Sequence, residues 1–342
     1  MKLVEIPVCP VSGEAGDVAV ESVSDAFFGT PGHWRYRKNR RTGHLWLDPR
    51  PAAEDIGELY TTYYTHDGAA APPTLSVWQQ ALSFALARRL GYPIRGDIRQ
   101  IAKLISFLPS VADAAELEMM RVSASQSGAL LDVGCGGGAL LERMRDAGWQ
   151  VVGTEPDPNA AARLRDRLGF PVFGSVDELV DRPEQFDLIT LGHVIEHVPD
   201  PTATLRQLAT LLKPGGRLVV TTPNVDGLGA RIFGNAWRGL EPPRHFNVFT
   251  PQSMAETFRQ SGFRVIRLST HARLARGIFY VSAMAKRGHS EIESRRTRQD
   301  RLLTVAGYLF QLLETAAIRL MPAAGEEIYC EATLLPPPGQ TE

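Results

Sequence analysis

The sequence predicts an α/β fold, a doubly wound and mostly parallel seven-stranded sheet with helices on both faces. Three observations predict it. From Ala129 onward, short apolar strand signals alternate with amphipathic helical stretches. A run of glycines, Gly134-Cys135-Gly136-Gly137-Gly138, joins the first of these strands to its helix. After a helical interruption, a last strand signal appears at Ile328–Leu335.

The elements follow in order. Up to about Tyr64 the chain lacks long periodic runs. His33–Asn39, Arg40–Gly43 and His44–Asp48 read as strand, turn and strand, ended by Pro49-Arg50-Pro51. Gly68–Pro73 is rich in small residues and proline and reads as a linker. Leu75–Met120 has helical spacing, broken near Gly91–Pro93 and at Pro109. The strands of the sheet are expected at Ala129–Val133, Gln150–Thr154, Pro171–Phe173, Phe186–Leu191, Arg217–Thr222 and Phe263–Ser269. Helices are expected at Ala139–Ala147, Asn159–Leu168, Pro201–Leu212 and Pro251–Ser261. About fifty residues then interrupt the beat, including a long helix around Arg298–Met321, expected to pack over the carboxyl edge of the sheet. The expected segments are thus 1–64, 65–128, 129–270 and 271–342.

Bulk properties narrow the function. The 342 residues carry a formal net charge of −1, so no polyanionic partner is implied. Cys9, Cys135 and Cys330 are far apart and odd in number, which fits a reducing, cytoplasmic setting without a disulfide framework. Met1–Pro10 does not read as a signal peptide. Leu302–Ile318 is apolar but interrupted by Thr304, Gln311 and Glu314, so it reads as an amphipathic helix for core packing or membrane-surface contact, not a span. The hairpin places Arg35, Arg37, Lys38, Arg40 and Arg41 beside Trp34, Tyr36 and Trp46. Such a mixture can bind nucleic acid, or an acidic carrier or glycan, but on an edge hairpin a solvated face is the expectation.

The glycine run admits two ligands. Glycine lets the backbone turn tightly and approach a ligand closely, and the next helix offers unpaired N–H groups. Gly134-x-Gly136-x-x-Ala139 also satisfies a dinucleotide fingerprint. Asp132 decides between the two. A carboxylate two residues before the first glycine repels a pyrophosphate, whereas S-adenosylmethionine carries an ammonium and a sulfonium and gains from it. Glu155, at the end of the next strand, can accept both ribose hydroxyls.

These residues carry a resemblance. Leu130–Leu268 resembles the Rossmann-like domain of class I methyltransferases. Asp132-Val133-Gly134-Cys135-Gly136-Gly137-Gly138 is similar to the first motif and Gly153-Thr154-Glu155-Pro156 to the second. Phe186–Leu191 is similar to the fourth, and Leu212-Lys213-Pro214-Gly215-Gly216 to the approach to the fifth strand. The resemblance implies S-adenosylmethionine as cofactor, with Asp132, Gly134 and Gly136 at its methionine end and Glu155 on its ribose. It also implies Ser175 and Val176 beside the adenine. Many members have Asp after the third strand; here Ser175 stands there, and Asp177 is the substitute expected to reach the exocyclic amine. The full expected donor-binding set adds Cys135, Gly138, Pro156, Gly192 and His193.

Gly192-His193-Val194-Ile195-Glu196-His197-Val198-Pro199 follows the fourth strand. One helical turn would put His193, Glu196 and His197 on one face. A zinc peptidase would need a longer helix than Pro199 and Pro201 permit. A metal-assisted transferase resembles Glu-x-x-Glu-His at this place, but His193 replaces the first carboxylate, so no resident metal is expected. In metal-free base catalysis, His197 takes the acceptor's proton, as the resemblance to sugar methyltransferases implies, with His193 assisting. The alternative is that Glu196 and His197 only cap the turn.

The long loop Trp237–Pro251 resembles a Trp…Pro-x-His…Phe-Thr-Pro loop of bacterial methyltransferases from polysaccharide and natural-product clusters. His245 is either a second base or a loop anchor. Tyr63 and Tyr64 are candidates to close over the donor or, equally, to pack in the core. Cys9-x-x-Ser12-Gly13 and Asn39-x-x-Thr42-Gly43 resemble zinc-ribbon knuckles with three of four ligands replaced, so a metal-free remnant is expected. The whole reading is O-methylation of a small molecule, a sugar or glycan-linked intermediate. Phenolic or lipid-linked acceptors, and a silent donor-binding scaffold, are the alternatives.

Overall fold

A computed structural model describes residues 1–60, 75–181, 185–289 and 301–335. Tyr63, Tyr64 and the linker Gly68–Pro73 lie outside the described residues.

The chain opens with five short strands, β1 (Leu3–Val4), β2 (Asp17–Val23), β3 (Trp34–Lys38), β4 (Leu45–Leu47) and β5 (Arg50–Pro51). Helices α1 (Val77–Leu90), α2 (Gln100–Ile105) and α3 (Pro109–Glu118) follow. The alternating region is β6 (Ala129–Val133), α4 (Ala139–Asp146), β7 (Gln150–Thr154), α5 (Pro158–Leu168), β8 (Val172–Phe173), β9 (Phe186–Gly192), α6 (Pro201–Leu211) and β10 (Leu212–Pro223). Then come α7 (Leu228–Phe233), β11 (Asn247–Val248), α8 (Pro251–Gln260), β12 (Phe263–His271), α9 (Ala275–Lys286), α10 (Arg301–Ala317) and β13 (Glu327–Leu334).

The main sheet has seven strands in the order β12-β13-β10-β9-β6-β7-β8. Strands β9, β6, β7 and β8 run parallel, and β12 pairs antiparallel with β13. This is the expected doubly wound fold. Its parallel strands are continuous apolar runs because both faces are covered; Leu130, Leu131, Leu188, Ile189 and Leu191 are fully buried. Caps set the helix starts. Asp157 accepts from Asn159 N–H ahead of Pro158 in α5, and Thr250 and Ser253 form a reciprocal cap ahead of Pro251 in α8.

The contacts divide the chain into two compact units. One comprises Tyr64–Gly192 and Thr210–Val219; the other comprises Met1–Tyr63, His193–Ala209 and Val220–Glu342. In the second unit the N-terminal strands differ from the simple hairpin expected. They form a four-stranded sheet in the order β11-β4-β3-β2. Strand β2 carries no strand signal in the sequence because six of its seven residues are not buried, so it lacks a strong apolar face. Strand β11 comes from the loop that carries His245, and Asn247 pairs with Trp46.

Period-two alternation sorts β3. Trp34 and Tyr36 point into the core, while Arg35 and Arg37 point to the other side. There the buried carboxylate of Asp48 accepts from Arg35, Arg37 and Ile6 N–H. Arg40 pairs with Asp17, and Arg41 with Glu14. The aromatics are therefore core residues, unavailable for base stacking. Across the two knuckles, Asn39 Nδ2 donates to Ser12 Oγ at 2.9 Å, and Cys9 is a buried free thiol.

His44 shows what this sheet demands. It is fully buried, its Nε2 meets Asn247 Oδ1 at 3.1 Å, and its Nδ1 has no hydrogen-bond partner. Burial lowers its pKa to about 4, the Asn247 contact opposing. A histidine kept neutral stabilises the fold fully above its unfolded pKa, and that stability drains away as pH falls toward the folded value. We expect stability in urea to drop from pH 6.5 to 4, with about 2 kcal/mol lost at pH 5 through this residue. His44→Gln should flatten that part of the profile; an unchanged slope would refute the assignment.

Candidate active site

In the first unit, the glycine turn is built by three left-handed residues, Gly134 (φ 65°), Gly136 (φ 51°) and Gly138 (φ 74°). Side chains resist this backbone region. Gly138 is required for packing too, since a Cβ there would sit 2.8 Å from Leu164 Cδ2. Gly136 differs: a Cβ there meets nothing within 4 Å, so the turn is open on that side. Cys135 N–H bonds to Thr154 O, and its buried thiol has its pKa pushed up by desolvation.

Asp132 lies beneath the turn, at the end of β6, 6% exposed. Its Oδ1 accepts from Thr190 Oγ1 on β9 at 2.7 Å. Burial pushes its pKa up to about 7, with the charge of Glu155 adding to the rise and Thr190 opposing it. Glu155, at the end of β7, accepts from Gly136 N–H and from Asp157 N–H, each at 3.0 Å. Each of its oxygens has lone-pair capacity beyond one bond. A buried carboxylate that gains from a neighbouring cation, an open glycine cradle and a second carboxylate suit a cationic nucleoside ligand. The residues therefore fit S-adenosylmethionine: Asp132 for the cationic end, Gly136 for close approach, Glu155 for the ribose hydroxyls.

The residues expected beside the adenine, Ser175, Val176 and Asp177, lie at the start of a short helix after β8. Ser175 and Glu178 form a reciprocal cap on the short helix Val176–Leu179, and Ser175 Oγ lies 3.5 Å from Asp177 Oδ2. These side chains cap backbone, so any adenine contact there falls to the backbone or to Asp177.

In the second unit, a short 3-10 turn, Ile195–His197, carries the histidine cluster. His193 precedes it in the left-handed region, φ 57°, a conformation costing roughly 1–2 kcal/mol for a residue with a Cβ. The bend aims its ring between two carboxylates. Nε2 is 2.8 Å from Glu327 Oε1, and Nδ1 is 3.3 Å from Glu196 Oε1. Burial opposes the charge, but these carboxylates push the His193 pKa up to about 9. Reciprocally, and against burial, His193 holds Glu196 down to about 2. Arg273 also pairs with Glu327, and Thr222 donates to Glu196 Oε2 at 2.8 Å. With Nε2 bonded to Glu327, Nδ1 in ion-pair contact with Glu196 and the charged form favoured, His193 is poorly placed to accept a proton, which conflicts with its expected role as an assisting base.

His197 is the opposite case. Its Nδ1 meets the Arg244 carbonyl at 3.1 Å, which puts the hydrogen on Nδ1 and the lone pair on Nε2. Desolvation lowers its pKa, with Glu196 opposing. The His245 ring packs edge-on against it, centroids 4.7 Å apart. His245 is 4% exposed, its Nδ1 donates to Gly239 O at 2.8 Å, and burial drops its pKa well below the usual value. The loop is held by Tyr36, whose hydroxyl donates to the Leu240 and His245 carbonyls, and by Arg244, buried against Asp25. The ligand-bearing atoms of Glu196, His197 and His245 lie within 4.8 Å of one another.

Sequence reasoning missed Thr190, Glu327 and Arg273. Thr190 had a signal, a hydroxyl in an otherwise apolar buried strand. Glu327 had a weaker one, an acidic pair opening the last strand. Arg273 had none.

A parallel sheet with an antiparallel last strand, and a carboxylate beneath its glycine turn, define the class I methyltransferase fold, whose cofactor is S-adenosylmethionine. The chain belongs to the methyltransferase-domain family, whose model matches residues 98–268. It is 38% identical over 102 residues to a ubiquinone biosynthesis O-methyltransferase of Aeromonas salmonicida, covering 28% of this chain and 43% of that one. For the same enzyme of Xanthomonas euvesicatoria, identity is 42% over 102 residues, with the same coverage. The chain thus spans less than half the length of these curated relatives. Among solved structures, the 1,6-didemethyltoxoflavin-N1-methyltransferase of Burkholderia thailandensis is 16% identical with a TM-score of 0.44, covering 87% of this chain and 97% of that one.

Asp132 gives a sharp expectation. A cation lowers its pKa, so binding of S-adenosylmethionine must displace the proton that the free carboxyl holds below about pH 7. Affinity should be flat above pH 7 and weaken by about tenfold per unit below it. Titration calorimetry from pH 8 to 5.5 measures this. Asp132→Asn should bind more weakly and lose the dependence; equal slopes for both proteins would contradict it.

Proposed function

We propose that the chain transfers a methyl group from S-adenosylmethionine to an oxygen of a small molecule, with His197 as the base. One observation carries this reading: His197 donates through Nδ1 to the Arg244 carbonyl, in surroundings that keep the ring neutral. Its Nε2 is then the proton-accepting atom. S-adenosylmethionine supplies a methyl carbon already activated by a sulfonium. The chain's task is to align the acceptor and remove its proton as the new bond forms. A hydroxyl needs that help more than a neutral amine, which attacks through its own lone pair.

The other residues take supporting roles. His193, charged and clamped, fixes the Glu196 carboxylate. His245 anchors its loop through Gly239 and packs against the His197 ring. The names of the curated relatives, ubiquinone biosynthesis O-methyltransferases, support oxygen as the acceptor atom, and a phenol is one acceptor class that fits it. The loop Trp237–Pro251 supports a sugar or glycan-linked hydroxyl, so both belong in an acceptor screen. The three buried free thiols are consistent with a reducing, cytoplasmic setting. No helix among the described residues is long and apolar enough to cross a membrane.

A second reading rests on Glu196, His197 and His245 lying within 4.8 Å of one another. Both histidines spend Nδ1–H on a backbone carbonyl, the outer bond that orients metal-binding imidazoles. Glu196 Oε1 makes an ion-pair contact with His193 but no hydrogen bond. These three side chains could hold a divalent cation, which would supply Lewis acidity toward the acceptor oxygen.

With an acceptor found by screening phenols and sugar hydroxyls, His197→Ala should lower kcat by about 10²–10⁴ and leave donor affinity unchanged. An unchanged kcat would remove His197 from the chemistry. Chelation separates the two readings: full activity after EDTA treatment supports the base, and loss restored by added magnesium, manganese or zinc supports the cation.

A further inference from the structure

Helix α10 is amphipathic with its more apolar side outward. The inward side carries Leu303, Gly307 and Phe310, but also Gln311 and Glu314, all buried. Phe310 packs on Phe279 of α9, and Gln311 donates to the Ala272 carbonyl. The outward side carries Val305, Leu309, Leu312 and Leu313, with Leu320 just beyond the helix, and these are 52–87% exposed. The spacing 305, 309, 312, 313, 316, 320 marks one helical stripe. A stripe of this size on a solvated surface is unusual unless something covers it.

Charge indicates what covers it. From Ala272 to His289 and from Arg301 to Ala324, the chain holds Arg273, which pairs with Glu327, and beside it Arg276, Lys286, Arg287, Arg301 and Arg319. Its single acid there is Glu314, which faces inward and is fully buried. Residues 290–300 between them hold three acids and three arginines and cancel. The helix pair is therefore cationic within a chain of net charge −1. Arg301 and Arg319 stand at the two ends of the stripe, and Arg276 lies over the Tyr308 ring at 4.7 Å. A second copy fits this face poorly. Parallel pairing sets Arg301 on Arg301, antiparallel pairing sets Arg301 on Arg319, and neither offers an outward acid to compensate.

We propose that the outward face of α10 docks on an anionic phospholipid bilayer, its leucines entering the interface and the flanking arginines meeting lipid phosphates. The helix lies in the plane of the surface; its 17 residues with a buried glutamate do not span it. Such docking would hold the chain beside amphiphilic acceptors. The proposal stands apart from the methyl-transfer reading, because vesicle binding is measured without turnover.

The test is co-sedimentation of the full chain with vesicles of phosphatidylglycerol and phosphatidylcholine in equal parts, against phosphatidylcholine alone, at low salt. Binding to the anionic vesicles should be at least about tenfold stronger, and should weaken as salt rises. The double variant Leu309→Glu with Leu313→Glu, both exposed, should lose that binding while keeping its melting temperature and its affinity for S-adenosylmethionine. Arg301→Glu with Arg319→Glu should abolish the preference for anionic lipid. Equal or absent binding to both vesicle types would overturn the proposal, as would full binding by the leucine variant. Sedimentation velocity without lipid covers the remaining case. A dimer that the leucine variant dissolves would assign the face to a second copy and overturn it too.

Discussion

A carboxylate sealed under a turn of the chain is expensive to ionise unless positive charge comes to it. Asp132 is in that position, with the hydroxyl of Thr190 as its hydrogen-bond partner among the described residues. Much of the first unit serves this arrangement. Strands β6 and β9 must lie side by side and in register for Asp132 to face Thr190, and they pair with those two residues opposite each other. The glycines must adopt left-handed angles so that the turn clears the carboxylate and leaves its outer side open. A well-satisfied polar group would have made a more stable protein and a poorer receptor for a cation.

The second unit handles charge differently. His193, Glu196, Glu327 and Arg273 form a closed network in which each buried charge meets its opposite. Removing one member of such a set leaves its partner uncompensated, a loss of several kcal/mol, about 3–5 by comparison with other buried pairs. The left-handed bend at His193 persists because both carboxylates hold the ring. Beside this network His197 and His245 stay uncharged, each fixed through one nitrogen by a main-chain carbonyl. The N-terminal sheet explains why the loop is rigid enough for that: Tyr36, Asp25 and the β4–β11 pairing all bind it. A segment that reads as a decayed accessory works as a buttress.

Local pattern made most of this legible. The parallel strands were readable because burial on both faces leaves unbroken apolar runs, and the helix start at Pro251 because capping chemistry is local. The glycine turn was readable because left-handed backbone favours glycine, and Asp132 because a carboxylate at the end of a buried apolar strand stands out. What was hidden depends on distant partners. Glu327 lies more than a hundred residues from His193, so nothing near His193 announces that its Nε2 is occupied. Strand β2 was hidden because it presents little apolar surface, and β11 because two residues carry no period. The outward leucines of α10 were visible as an amphipathic pattern, but which side faced inward depended on α9.

Asp132 is expected to hold a proton in the free protein and to surrender it when the cationic donor arrives. Calorimetry of S-adenosylmethionine binding at pH 7, repeated in buffers of different ionisation enthalpy, counts protons directly. Release of about half a proton per donor bound, absent in a protein lacking this carboxyl, is the predicted result. Proton uptake, or a heat independent of buffer, would contradict it.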